Sequence, residues 1–162
     1  MRYTLAVLAI LVMVSAQGMA ADLRKLSLDD TSSIGIAIET DSRVKIEGEG
    51  SIRITTKHPT TVCIGEVNGL DIEDAALIYK AMVKSDLEGG AYLEMLVQIG
   101  EEQYFSKGMN DPIMGKSDWR LLQTPFIFQV GQNPGKVLLN IVINGRGIVW
   151  IDDVVLSETP LK

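Results

Sequence analysis

The stretch that decides the fold is residues 137–156, which read VLLNIVINGRGIVWIDDVVL. In its first half Ile141 and Ile143 occupy one phase of a two-residue period, and Asn140 and Asn144 occupy the other. This alternation is typical of a half-buried antiparallel strand, because successive side chains point to opposite faces of a sheet. The same period recurs at residues 34–38, 44–47, 52–55, 77–84 and 92–99. The sequence therefore predicts an all-β protein.

Turn-forming residues separate these segments. The strongest hairpin signal is Asn-Gly-Arg-Gly at residues 144–147, which lies between two strand patterns. Further turns are predicted at residues 89–90 and 133–135. No helix is predicted, and the best candidate for a short one is residues 72–76. Eight or nine strands without interleaved helices predict a β-sandwich. We expect residues 21–162 to form this single domain.

The first twenty residues have the three parts of a secretory signal peptide. Arg2 gives a basic start, an apolar run extends from Leu5 to Val14, and small residues follow. The run is shorter than the roughly 20 apolar residues of a transmembrane helix. We expect cleavage after Ala20, with Gly18 and Ala21 as alternative sites and an uncleaved anchor as the alternative outcome. Cleavage predicts a secreted or periplasmic protein without membrane insertion.

Charge and cysteine content narrow the function classes. The chain has 15 Lys and Arg against 21 Asp and Glu, a formal net charge of −6. This balance disfavours nucleic acid and anionic membrane surfaces as partners. Cys63 is the only cysteine, so no internal disulfide can form, and its apolar neighbours predict a small buried side chain.

Four segments carry a family resemblance. They are Gly-Glu-Gly-Ser-Ile-Arg-Ile at 48–54, Gly-Gly-Ala-Tyr-Leu-Glu-Met at 89–95, Gly-Lys-Ser-Asp-Trp at 115–119 and Val-Trp-Ile-Asp-Asp-Val at 149–154. In this order the chain resembles the galactose-binding-domain-like jelly rolls, which include carbohydrate-binding modules of the xylan- and cellulose-binding type. The resemblance implies a single jelly-roll β-sandwich. It says less about function, because this fold also hosts adhesion modules and enzyme accessory domains.

The resemblance also implies one structural calcium ion, since jelly rolls of this type often hold one near their first and last strands. Calcium takes six to eight oxygen ligands from carboxylates and carbonyls. The ligands implied here are Asp30, Glu49 and Asp153, with Asp29 as the alternative to Asp30. The alternative for Asp153 is a surface position, or a carboxylate that accepts backbone amides across the sheet.

Sugar-binding modules place aromatic rings against sugar faces and polar side chains against hydroxyls. Tyr92 lies on the non-core phase of its strand pattern, and Tyr104 follows in the next segment. The predicted ligand-binding patch consists of Tyr92, Glu94, Gln98, Tyr104, Arg120, Asn140 and Asn144. Because Leu96, Leu138 and Val142 share this phase, the face is partly apolar, and a protein contact is its alternative use. An ordinary solvated sheet face is the other alternative.

The residues do not favour an enzyme. His58 is the only histidine, no Gly-x-Ser-x-Gly elbow is present, and a zinc site lacks nitrogen and sulfur ligands. Asp71, Glu73 and Asp74 resemble the carboxylates of a jelly-roll glycosidase, but they follow a turn that they would cap. We therefore predict an exported, non-catalytic module for a carbohydrate or similar polymer. A protein-interaction or envelope-assembly module is the alternative, and a glycoside hydrolase is the third reading.

Overall fold

The computed structural model describes residues 21–26, 38–72 and 74–161. The described residues form eight strands and no helix, and thus no helix able to cross a membrane. In chain order the strands are β1 (Ala21–Leu26), β2 (Ile38–Asp41), β3 (Ser51–Thr56), β4 (Thr60–Asn68), β5 (Ala75–Ile99), β6 (Glu102–Lys107), β7 (Ile113–Ile127) and β8 (Lys136–Pro160). This confirms the predicted all-β class. The predicted signal peptide, residues 1–20, lies outside the described part.

Two strands of 25 residues each, β5 and β8, organise the fold. They run antiparallel along their whole length, from Ala75 opposite Pro160 to Gln98 opposite Lys136. Strands β1, β3 and β4 pair with β8, while β6 and β7 pair with β5. Only β2, which pairs with β3, touches neither long strand in the hydrogen-bonded network of described residues.

The predicted hairpin at residues 144–147 and the predicted turn at residues 89–90 are wrong. Both segments lie inside continuous strands, where Gly89 stands opposite Gly145. Both glycines have a positive φ, 135° and 147° respectively. A Cβ on Gly145 would lie 2.1 Å from the Glu88 carbonyl oxygen, so only glycine allows the two backbones to approach this closely.

All eight strands belong to one hydrogen-bonded sheet, whose two halves meet at this glycine crossing and are called the front sheet and the back sheet below. The front sheet consists of β4, residues 136–144 of β8, residues 90–99 of β5, and β6. The back sheet consists of β1, β2, β3, residues 146–160 of β8, residues 75–88 of β5, and β7. Buried apolar side chains of both sheets form one cluster. This cluster is the core of a single jelly-roll β-sandwich, as predicted.

The candidate short helix at residues 72–76 is not formed by its described residues, because β5 already begins at Ala75 and pairs with the end of β8. Cys63, predicted to be buried, is exposed on β4. It stands opposite Asn140, on the outer face of the sheet, because the two-residue period directs Val62 toward the core.

The strand expected at residues 44–47 is instead part of a loop, residues 42–50. Two amides at the start of this loop donate to Asp41 Oδ1 over 3.0 and 3.1 Å. Two amides further along donate to Asp152 Oδ2 over 2.6 and 3.3 Å. Because these carboxylates satisfy the backbone donors, the segment does not need a neighbouring strand.

Candidate functional site

The outer face of the front sheet, called the front face below, carries a buried polar centre. Glu94 of β5 stands between Asn140 of β8 and Lys107 of β6. Asn140 Nδ2 donates to Glu94 Oε1 over 3.2 Å, and Lys107 Nζ lies 3.3 Å from Glu94 Oε2. Glu94 is only 6% exposed and Asn140 7%. Each carboxylate oxygen thus has a partner, which offsets the cost of burying the charge.

An apolar strip lies along one side of this polar centre. Leu96 is paired with Leu138 and with Phe105, one row along the sheet from Glu94. The Phe105 side chain is 53% exposed, and Lys107 Nζ lies 5.2 Å from its ring centroid. An exposed ring beside fixed polar groups can contact the apolar face of a ring-shaped ligand while the polar groups bind its hydroxyls.

The other side of the polar centre opens into a groove of about 240 Å³. Tyr92 lies one row along from Glu94, and Asn144 stands opposite Gly90. The lining includes Gly90, Tyr92, Met109, Pro112, Met114 and Asn144. Tyr92 is 8% exposed although it lies on the outer face of its strand. Residues 108–114, called the wall below, therefore shape this side of the front face.

Arg120 of β7, predicted to lie at the edge of the patch, holds the wall. Its Nη2 donates to Asp111 Oδ1 over 2.9 Å, to the Asp111 carbonyl over 3.1 Å and to the Pro112 carbonyl over 3.0 Å. At the other end of the wall, the Gly108 amide donates to the Leu93 carbonyl over 2.9 Å. Arg120 is therefore a positioning residue for the groove.

Five residues of the predicted patch share the front face: Tyr92, Glu94, Gln98, Asn140 and Asn144. Tyr104 does not join them, because it stands opposite the core residue Val97 and so points to the other side of β6. Its ring contacts Phe126 with 6.3 Å between centroids. Its hydroxyl donates to Glu102, and this bond raises the pKa of the Tyr104 phenol. Phe105 takes the position expected of Tyr104.

Phe105, Lys107 and the methionines of the groove were not predicted from the sequence. The register of β6 follows from the two-residue turn at residues 100–101, where Gly100 has a φ of 59°. A turn of this length fixes which side chains of the next strand face which side. Counting from that turn places Lys107 opposite Glu94. The two-residue turn Gly-Glu at residues 100–101 is therefore the sequence feature from which the register of β6 could have been predicted.

Of the calcium ligands implied by the resemblance, only Glu49 and Asp153 lie among the described residues. Asp30 lies outside the described residues, and Glu49 is exposed in the loop of residues 42–50. Asp153 Oδ1 lies 3.1 Å from Lys25 Nζ, which is also 2.7 Å from Glu47 Oε1. Hydrogen bonds to Glu47 and then Asp153 raise the pKa of the Lys25 ammonium. An ammonium group thus occupies the position between these two carboxylates.

The buried carboxylate of the last strand is Asp152, which is 2% exposed. Its Oδ2 accepts two loop amides, and its Oδ1 accepts the Asp153 amide over 2.8 Å. Across the described ranges, no three His, Cys, Asp or Glu side chains are grouped closely enough to hold a metal ion. The described residues alone therefore do not form the expected calcium site, and Asp30 lies outside them.

The carboxylates considered for hydrolysis precede β5 in the sequence. Asp71 Oδ1 accepts from the Asn133 side-chain amide (Nδ2) over 3.0 Å, and the Asp74 carbonyl accepts the Leu161 backbone amide over 3.0 Å. Asp74 has a φ of 50°. Glu73 lies outside the described residues. The Asp71 carboxylate thus has a structural role, because it binds the Asn133 side chain.

Comparison with solved structures defines the fold class as that of carbohydrate-binding-module β-sandwiches. The chain is similar to the CBM22-1 xylan-binding domain from Paenibacillus barcinonensis Xyn10C, with a TM-score of 0.58 and 10% identity over 81% of this chain and 85% of that one. It is also similar to a family 16 carbohydrate binding module, with a TM-score of 0.57 and 8% identity over 78% and 91%.

A third similar structure is the N-terminal CBM22-1-CBM22-2 tandem domain of the same Paenibacillus barcinonensis protein. Its TM-score is 0.63 at 13% identity, over 91% of this chain and 47% of that one. No protein-family model matches the chain, and the search of curated proteins found no match. These similarities confirm the predicted resemblance at the level of the fold.

Proposed function

We propose that this protein is a non-catalytic module that binds a carbohydrate through its front face. The observation that carries the proposal is the polar centre formed by Glu94, Asn140 and Lys107. Sugar hydroxyls both donate and accept hydrogen bonds, so a carboxylate, an amide and an ammonium side by side can bind several of them. The exposed Phe105 ring supplies the apolar contact that sugar rings also need.

The polar centre is preorganised by its own hydrogen bond and ion pair, which favours binding. Asn140 and Lys107 hold the Glu94 carboxylate in place, so little side-chain freedom remains to be lost. The Lys107 side chain is 45% exposed and can turn toward a hydroxyl. Two or three hydrogen bonds of about 1 kcal/mol each and one ring contact of similar size correspond to a Kd on the order of 1 mM.

The first ligand class to test is xylan and related β-linked polysaccharides. Two of the similar structures are described as xylan-binding domains. We further propose that the module acts outside the cytoplasm, secreted or periplasmic, after loss of residues 1–20 as a signal peptide. An acidic protein of net charge −6 suits a neutral polymer better than an anionic one.

The test is titration calorimetry of the purified protein with soluble xylan, glucan and mannan. Phe105→Ala should weaken binding by at least about five-fold, because a truncated aromatic contact is worth about 1 kcal/mol or more. Leu121→Ala is the matched control, since Leu121 is 51% exposed on the outer face of the back sheet. Equal loss in both variants, or no binding to any polymer, contradicts the proposal.

One observation favours the alternative, a protein-interaction or envelope-assembly module. Phe105, Met109 and Met114 are 53%, 58% and 60% exposed on the front side of the sandwich. Methionine-rich surfaces adapt their shape to protein partners. A partner captured from envelope extracts by the protein and lost with Met109→Gln, together with silence toward polysaccharides, would favour this alternative.

A further inference from the structure

The groove beside Tyr92 differs in chemistry from the polar centre next to it. Its lining includes the thioethers of Met109 and Met114 and the ring of Pro112, and Asn144 contributes a side-chain amide. Both methionines are more than half exposed, so they line the groove rather than the core. The groove is therefore mostly apolar, with one amide group among its lining.

Gly90 lies directly beneath Met114 on one side of this groove. A Cβ at this position would lie 2.4 Å from Met114 Sδ and 2.9 Å from the Ile113 carbonyl oxygen. Glycine therefore lets the thioether lie directly against the β5 backbone, and any larger residue would displace it. The close approach at Gly90 fixes the position of Met114 on one side of the groove. On the other side, Arg120 anchors Asp111 and Pro112.

The chemistry of the lining selects its occupant. A sugar hydroxyl would lose water against the methionines and the proline ring without gaining enough partners, whereas a methyl group would gain from leaving water. The Asn144 amide can donate a hydrogen bond to a carbonyl oxygen. A methyl group joined to a carbonyl is an acyl group, which sugars carry as an acetyl ester or an acetamide.

We propose that this groove is a subsite for the acyl substituent of the sugar bound on the front face, an inference that rests on the proposed function. Tyr92 and Glu94 are two residues apart on one face of β5, a spacing of about 7 Å. A substituent on a sugar that contacts Glu94 therefore reaches the groove. Its methyl group contacts the thioethers of Met109 and Met114 and the ring of Pro112, and its carbonyl accepts from Asn144.

The test compares ligands that differ in the acyl group. One pair is O-acetylated xylan and the same xylan after alkaline deacetylation. The other pair is chito-oligosaccharides and cello-oligosaccharides, which carry an acetamide and a hydroxyl at the same position. We expect the acylated member of at least one pair to bind about four-fold more tightly or better, the value of one buried methyl. The pair that responds tells ester from amide.

Two variants sharpen the test. Met114→Gln and Met109→Gln replace a thioether by an amide of similar length, and each should abolish the preference for the acylated ligand. Met82→Gln is the matched control on the outer face of the back sheet, and it should retain the preference. Thermal unfolding of each variant verifies that it is folded, which the exposure of both groove methionines favours.

The outcomes separate this inference from the proposed function. Equal affinity within both ligand pairs, or a preference that survives both methionine variants, overturns the acyl subsite and leaves carbohydrate binding in place. Failure to bind any of the four ligands also overturns the subsite. Failure to bind any polysaccharide of the wider panel overturns the proposed function as well.

Discussion

The outer faces of the two sheets are built from the same two long strands, yet they treat their charged side chains differently. On the front face, Glu94 is 6% exposed and each of its oxygens has a partner. On the back face, Lys84 lies 2.6 Å from Asp118, whose side chain is 85% exposed. An exposed pair of this kind is mobile and adds little to stability. Glu94 is therefore held in the fixed arrangement that recognition requires, whereas the Lys84–Asp118 pair is not.

The back face also has a groove, but polar groups that line it bind other residues of the fold. A groove of about 440 Å³ is lined by Lys84, Asp118 and Trp150, among others. The Trp150 indole donates to Asp41 Oδ2 over 3.0 Å, so its one polar group is used within the fold. Concavity alone therefore does not distinguish a binding site from an ordinary surface groove.

We expect the largest effect from a substitution at the glycine crossing, where both long strands pass between the front sheet and the back sheet. In Gly145→Ala the new Cβ would meet the Glu88 carbonyl oxygen at 2.1 Å, at a φ of 147°. We expect a loss of about 3 kcal/mol or more in the free energy of unfolding, or failure to fold. Urea titration measures it. Gly100→Ala is the control and should lose only about 1 kcal/mol, because nothing lies within 4 Å of the new Cβ. Equal losses in the two variants would contradict the role given to the glycine crossing.

The next change tests the comparison itself by deleting one carboxylate from each face. Glu94→Ala leaves Asn140 buried without its partner, so we expect a loss of about 1–3 kcal/mol in unfolding free energy. Asp118→Ala, on the exposed back face, should stay within about 0.5 kcal/mol. Denaturant titrations of the two variants side by side check this difference. Losses of the same size would show that the faces are equivalent.

A smaller change concerns the core that the two faces enclose. The Tyr79 hydroxyl is fully buried and has no hydrogen-bond partner among the described residues, and burial raises the pKa of its phenol. Tyr79→Phe should therefore increase the free energy of unfolding by about 1 kcal/mol. Tyr104→Phe, which removes an exposed hydroxyl bonded to Glu102, is the control and should change little. A destabilised Tyr79→Phe would reveal an unseen partner.

The front face shows how much of a site the sequence predicts. Tyr92 and Glu94 were placed correctly on one face because a two-residue period is a local property of a strand. That Asn140 stands opposite Glu94 depends on pairing between residues 46 apart, which no local pattern contains. Lys107 was missed because its side depends on the length of the turn before β6.

The glycine crossing shows why the topology was harder to predict. Asn-Gly-Arg-Gly at residues 144–147 has the composition of a hairpin turn, and glycine suits a turn and a close strand crossing equally. What distinguishes the two is the backbone of Glu88 and Gly89, which approaches from a distant part of the chain. Arg120 illustrates the same limit, since its role depends on where the Asp111 and Pro112 carbonyls lie.

The stability that Asp41 contributes on the back side of the sandwich depends on pH. Hydrogen bonds from the Trp150 indole and then the Arg43 amide lower the pKa of the Asp41 carboxyl. The stability that this group contributes is therefore fully present above its unfolded pKa of about 3.9, and is lost as the pH falls through the folded value. Thermal unfolding should show Asp41→Asn less stable than the unaltered protein at about pH 6, with the gap narrowing toward about pH 3. A constant gap would contradict this.

The smallest expected effect is that of metal removal. Because Lys25 lies between Glu47 and Asp153, and backbone amides bind Asp152, the loop of residues 42–50 is already held by groups of the chain. Thermal unfolding in excess EDTA should therefore match that in millimolar calcium. A bound ion at 100 times its Kd would add about 2.7 kcal/mol, a shift of several degrees that the measurement would detect.

A control variant makes the metal experiment decisive. Asp152→Asn keeps the shape of the side chain but weakens its bonds to the loop amides, so it should lower the midpoint equally with and without calcium. A fall in the midpoint of the unaltered protein in EDTA would show that a metal ion is bound after all. Its ligands would then include residues such as Asp30, and loss of the effect in Asp30→Asn would identify them. The front face would keep its polar centre in either case, because the contacts of Glu94 involve only β5, β6 and β8.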